Sequence, residues 1–240
     1  MTSLRPDRIG LDDFADQPVS VCGKSFRAHM SGALYWPSQN ALIVSDLQLT
    51  SGSPLEPQGQ SRASGDTGEM LRSLAGLIDN YDADTIIALG DGAQNGGAAN
   101  EMTANNRETL RIIQEDREWI WIAPNAGRVV QSSLGGTYVP ELTVEGIRLS
   151  HKPRLGATTH EVAGALFPAA RLVMNGTAIR RPCFVSNGLR LIMPAFSAFS
   201  GGLNILDAVF EPLFGGDTMA VWMLGQDGLY PVAPRQLCED

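Results

Sequence analysis

Asp46, Asp91, Asn125 and His151 are the residues of this chain whose types suit coordination chemistry, and each closes an apolar run. "ALIVSD" ends on Asp46, "TIIALGD" on Asp91, "WIWIAPN" on Asn125 and "IRLSH" on His151. Two carboxylates, one amide oxygen and one imidazole are the donor types of a divalent-cation site. Each has a plainer reading alone. Asp or Asn after a strand forms turns and caps helices, and a single histidine is commonly a hydrogen-bonded wall residue. Four such groups at four strand ends point to one polar crevice, because open α/β sheets bind ligands outside the carboxyl ends of their strands.

The elements that must position these groups follow from periodicity. Residues 33–36 and 41–46 read as two strands around the turn "PSQN", whereas 50–66 carries Gly, Ser and Pro without apolar period and reads as a long exposed loop. Asp66 and Glu69 have capping-box spacing, and Met70, Leu71, Leu74, Leu77 and Ile78 then recur at helical period. A second helix is expected around 100–116, with Leu110, Ile112 and Ile113 as its apolar residues. Strands are expected at 85–91, 119–125 and 147–151. Residues 178–196 read as a hairpin about Asn187-Gly188, the favoured pair for a two-residue turn with positive φ, and 218–232 as another hairpin. Strands alternating with helices give way to strands joined by turns. The fold class is therefore α/β (α+β): a largely parallel sheet, a hairpin-rich second sheet, and helices outside.

Composition narrows the functions. The 240 residues, 43% hydrophobic, suffice for one sizeable core, read as a single domain over 21–235 between an N-terminal arm (1–20) and a short tail (236–240). No apolar run is long enough to span a bilayer and the first residues do not resemble a signal peptide, so no membrane partner is expected. Cys22, Cys183 and Cys238 lack paired spacing, and a reducing cytoplasmic setting is the default. The net charge of −8 opposes direct binding to nucleic acid. Arg180-Arg181, the one tight basic cluster, reads as a solvated strand end rather than a phosphate contact. Neither a nucleophile elbow nor the Lys-Ser/Thr of a phosphate loop is present; "LGDGAQNGG" is only glycine-rich.

The strand-end residues, with "REWIWIAPNAG" (117–127), "HKPR" (151–154), "CFV" (183–185) and "AFSAFSGGLN" (195–204), make the chain resemble the calcineurin-like metallophosphoesterases over roughly residues 20–235. Within them it looks most like the bacterial ligase-associated DNA-repair phosphoesterases, a group of metal-dependent endonucleases. The resemblance implies a four-layer α/β/β/α sandwich with a two-metal site. It also implies where this chain departs. Asp-x-His becomes Asp46-Leu47-Gln48, and the histidine following Gly90-Asp91 becomes Gln94. Gly-Asn-His-Asp becomes Pro124-Asn125-Ala126-Gly127, and Gly-His-x-His becomes Gly164-Ala165-Leu166-Phe167. His151 matches the isolated histidine of the fourth motif.

By that correspondence one cation keeps Asp46 and Asp91 but loses its donors at Gln48 and Phe167, and the other keeps Asp91, Asn125 and His151 but loses Ala165. At most one weakly held Mg²⁺, Mn²⁺ or Ca²⁺ is implied, and the resemblance assigns no other cofactor and no catalytic residue. Ala126 replaces the general acid, a contribution typically worth about 10²–10⁴-fold. His160 is the one remaining histidine near enough in sequence to substitute, and Arg128 or Arg154 could neutralise the carboxylates. The expectation is an impaired or inactive phosphoesterase that acts by binding, with DNA-repair proteins as partners. The alternative is a residual one-cation phosphodiesterase or endonuclease.

Overall fold

The computed structural model describes residues 15–47, 49, 67–90, 102–123, 134–156, 159–197, 202–214 and 219–240. A seven-stranded sheet runs in chain order through β1 (Asp16–Val21), β2 (Lys24–His29), β3 (Leu34–Trp36), β4 (Ala41–Ser45), β5 (Thr85–Leu89), β6 (Glu118–Ile122) and β7 (Thr137–Val139). The steps from β1 to β4 are antiparallel, and those from β4 to β7 are parallel. The parallel character is thus confined to the second half of this sheet.

Its central strands are apolar at nearly every position because both faces are covered. Leu42, Val44, Ile86, Ala88, Trp119 and Trp121 point to one side, where α1 (Thr67–Tyr81) and α2 (Ala104–Gln114) pack. Ala41, Ile43, Ile87, Leu89, Ile120 and Ile122 point to the other. On α1, Met70, Leu71, Leu74, Leu77 and Ile78 are all buried, as their period requires. Thr103 caps α2, its side chain accepting from the Asn106 N–H at 3.2 Å. Leu110 and Ile113 of α2 are buried, but Ile112 is 51% exposed; one residue off the apolar stripe turns it to solvent.

The second sheet contains β8 (Leu142–Val144), β9 (Ile147–Ser150), β10 (Glu161–Ala163), β11 (Pro168–Met174), β12 (Thr177–Ser186), β13 (Arg190–Ile192), β14 (Leu203–Asn204), β15 (Ala220–Leu224) and β16 (Leu229–Val232). The path is β14-β11-β12-β13-β10-β9-β8, with β15 pairing β12 and β16 pairing β15. Ile147, Leu149, Val162, Phe184 and Leu191 face the first sheet and close the central core. Ala163, Cys183, Val185 and Ile192 face outward, under Phe210 and the short α3 (Glu211–Phe214).

Several expectations are corrected. Part of the segment read as an arm is strand, since β1 starts at Asp16 and pairs along its length with β2. The tail is stitched to the second sheet: Cys238 N–H donates to Arg171 O at 2.9 Å, and Asp240 pairs with Arg180 at 2.8 Å. Arg180 and Arg181 lie within β12 rather than at its end, and Arg180 also donates to Gly202 O. A two-residue turn with both φ positive is formed instead by Asn175-Gly176 (φ 50 and 76), joining β11 to β12, as it is by Cys22-Gly23 and Glu145-Gly146 in other hairpins. At 187–188 only Gly188 is positive, because Asn187 Oδ1 accepts from both Leu189 and Arg190 N–H and opens a wider loop. The 50–66 loop and Asp66 lie outside the described residues.

Candidate active-site crevice

The carboxyl ends of β4, β5 and β6 lie side by side in register, and β9 of the second sheet brings His151 to the same end. The four strands read as one set thus come from two sheets, and the crevice lies between them. Asp46 follows β4 directly, with φ +53, and its N–H donates to Leu89 O at 2.9 Å. Gly90 follows β5 with φ +115, a conformation that strains any residue with a side chain, and a Cβ there would be in ordinary contact with His151 Nε2 at 3.4 Å.

Of the predicted site residues, Asp46 and His151 are brought together. His151 Nε2 is 2.7 Å from Asp46 Oδ1. A carboxylate only accepts, so Nε2 carries the hydrogen and Nδ1 is the ring atom left for another partner. Asp46 Oδ2 accepts from the Ser45 hydroxyl at 2.6 Å and from Ala165 N–H at 3.1 Å. Both oxygens are engaged, and the Asp46 and His151 side chains are 10% and 21% exposed. The contact order is hydroxyl, carboxylate, imidazole. That is not the nucleophile–base–orienter order of a serine hydrolase, and Ser45 is fully buried.

The loop 164–167 closes the crevice from the second sheet. Gly164 donates to His151 O at 3.0 Å, and a Cβ on it would fall 1.9 Å from Ser45 Oγ. Ala165 (φ 67) and Phe167 (φ 48) both hold left-handed backbone, and Leu166 N–H returns to Gly164 O at 2.9 Å. Such conformations cost on the order of 1–3 kcal/mol each for residues with side chains. Leu203 N–H donates to Phe167 O at 2.9 Å, so the described part of "SGGLN" packs on this loop, as the sequence suggests.

Asp91, Asn125, Gln48, Gln94, Ala126 and Arg128 lie outside the described residues. His160 and Arg154, and the remaining histidine His29, stand elsewhere. His160 is exposed and precedes β10, at the end of that strand opposite to Gly164, so it cannot replace the missing imidazoles. His29 Nδ1 is held by Ser31 in the turn after β2, its hydroxyl 2.8 Å away. Arg154 pairs with Glu141 at 3.0 Å rather than with Asp46, whose partner is His151.

The two-cation centre implied by the resemblance does not fit the described donors. Ala165 and Phe167 contribute none, and among the described residues no group of three or more His, Cys, Asp or Glu side chains is placed to hold a metal ion. Asp46 and His151 spend their facing atoms on each other.

Sequence reasoning missed the fully buried Glu161 and Arg190, which bond to each other at 2.6 Å on the outer face of the second sheet. The signal was available: a glutamate directly before "VAG" and an arginine within "GLRLIM", each in an apolar strand.

No protein-family profile matches the chain, and no curated protein matches it. Among solved structures, the nuclease MPE of Pseudomonas putida is similar, with a TM-score of 0.69 and 25% identity over 90% of this chain and 100% of that one. The likeness supports a fold and a function of the nuclease or phosphoesterase kind.

Proposed function

We propose that this chain is a phosphoesterase-type protein whose two-cation hydrolysis is lost or nearly lost and which works by binding. One observation carries the reading: Asp46 is satisfied by three protein donors, His151, Ser45 and Ala165. Each Asp46 oxygen already accepts from the protein, so a cation would have to compete with these donors for it. In finer terms the chain is a calcineurin-like metallophosphoesterase relative with the α/β/β/α sandwich, in a cytoplasmic, ligase-associated repair setting. Its partners are repair proteins, since the net charge of −8 works against DNA binding by this chain alone. No helix among the described residues is long and apolar enough to cross a membrane.

The test pairs elemental analysis of protein purified without chelator with turnover of an activated phosphodiester in Mn²⁺, Mg²⁺ or Zn²⁺. The expected result is no stoichiometric metal and no turnover above a chelated control. The convergence of Asp46 and His151 favours a second reading, a one-cation hydrolase completed by Asp91 and Asn125. Metal-dependent turnover abolished by Asp91→Asn would establish that reading in place of the first.

A further inference from the structure

We infer that the buried Glu161–Arg190 pair is a positioning device for His151. Both side chains are fully buried, and such a pair contributes little net stability over apolar residues of similar size. Its presence calls for something that the pair holds. The two residues already face each other in the parallel ladder of β10 and β13, so the strands do not need the charges.

The donors go elsewhere. Arg190 Nη2 donates to Arg154 O at 2.6 Å, and Nη1 donates to Leu213 O. Glu161 accepts from Arg154 N–H at 3.2 and 3.3 Å, and from Arg148 Nη1 at 2.6 Å. The pair therefore grips both backbone groups of Arg154, three residues past His151. The Arg154 side chain is not part of the grip, because it reaches out to Glu141.

The same segment is fastened on either side of that grip. Ser150 Oγ donates to Lys152 O at 3.0 Å, Gly164 N–H to His151 O at 3.0 Å, and Gly156 N–H to Pro212 O at 3.2 Å. The strand β9 aims the His151 side chain between the sheets, while the following loop folds over the outer face onto the pair. A loop fixed there holds the imidazole with Nε2 on Asp46. The charges act through the backbone at 154, not by contact with any ligand, which is how an outer partner orients a site residue.

The inference rests on the crevice being the functional site. The experiment reads His151 directly, so it stands apart from any assay of activity or binding. The double variant Glu161→Leu/Arg190→Met removes both charges and leaves no unpaired ion. In ¹⁵N-edited spectra of the wild-type chain, His151 Nε2–H should give a slowly exchanging signal, bonded to Asp46. In the folded double variant that signal should be lost, while the His29 ring signals stay unchanged and Arg154→Ala leaves all of them as in the wild type. A folded double variant that keeps the His151 signal overturns the inference. If the double variant does not fold, Arg190→Lys decides. One ammonium can keep Glu161 but cannot also span Arg154 O and Leu213 O, so the signal should weaken; a wild-type signal overturns the inference. Loss of the signal in a protein that proves to be an active hydrolase would uphold the positioning role and remove the binding-only reading.

Discussion

Asp46 and Glu161 are two carboxylates of one molecule, each held by several protein donors, and they are treated in opposite ways. Glu161 is sealed, with guanidinium groups from Arg190 and Arg148 against it and no exposure. Asp46 sits at the mouth of the crevice, held by an imidazole, a hydroxyl and one backbone N–H. The guanidinium of Arg190 stays charged at any working pH, whereas a single imidazole hydrogen bond can be exchanged for another partner. The first arrangement is permanent and the second can be remade by a ligand. A carboxylate thus serves as framework in one place and as an addressable group in the other.

The largest effect that sharpens this contrast is Arg190→Ala. It strands Glu161 without its main partner and should cost about 3–5 kcal/mol in urea unfolding. Equal stability of variant and wild type would mean that the outer network is not framework at all. Gly164→Ala comes next. The new Cβ would overlap Ser45 Oγ, and an overpacked site of this kind loses about 1–3 kcal/mol. Asp46→Asn should be milder, about 1 kcal/mol in stability, because hydrogen bonds can be partly re-formed. A loss as large as that for Arg190→Ala would break the distinction between the two carboxylates.

A third carboxylate, Asp16, gives a pH test. It accepts from Tyr81 Oη at 2.5 Å and pairs with Arg27 at 2.9 Å. Burial first, and then Asp16, hold the Tyr81 phenol well above its ordinary value of 10.0. The folded chain therefore keeps a proton that the unfolded chain gives up. The stability that this supplies is whole below pH about 10 and declines as pH climbs past it. Tyr81→Phe should flatten that alkaline decline. Smallest of all is Arg111, exposed on α2 between Glu108 and Glu115, where alanine should leave the melting temperature unchanged within error.

The central sheet was legible because its strands are buried on both faces. Runs such as "ALIVS", "TIIAL" and "WIWI" admit few other readings, and the α1 stripe has a clean period. The positions of Asp46 and His151 followed from where those runs stop. What stayed hidden depends on contacts distant in sequence. Asn175-Gly176 and Asn187-Gly188 carry the same dipeptide, yet only the first forms the tight turn. The second is opened by side-chain bonds of Asn187 and by the demand that Arg190 meet Glu161. Arg154 looked like a partner for Asp46 only because it lies three residues past His151. The second sheet delivers His151 instead, 105 positions away. Ile112 shows the limit of counting apolar residues on a helix without assigning its face.

The arrangement of the first sheet has a consequence for how the chain reaches its native state. β1 to β4 are consecutive and adjacent, so they can zip from short-range closures. β4, β5 and β6 are also neighbours, yet their residues 41–45, 85–89 and 118–122 are separated by long crossovers. Each parallel joint must await a loop closure of many residues, which makes refolding slow compared with a helical bundle. Until that closure "TIIAL" and "EWIWI" have both flanks bare, and this is the interval in which the chain is most open to self-association.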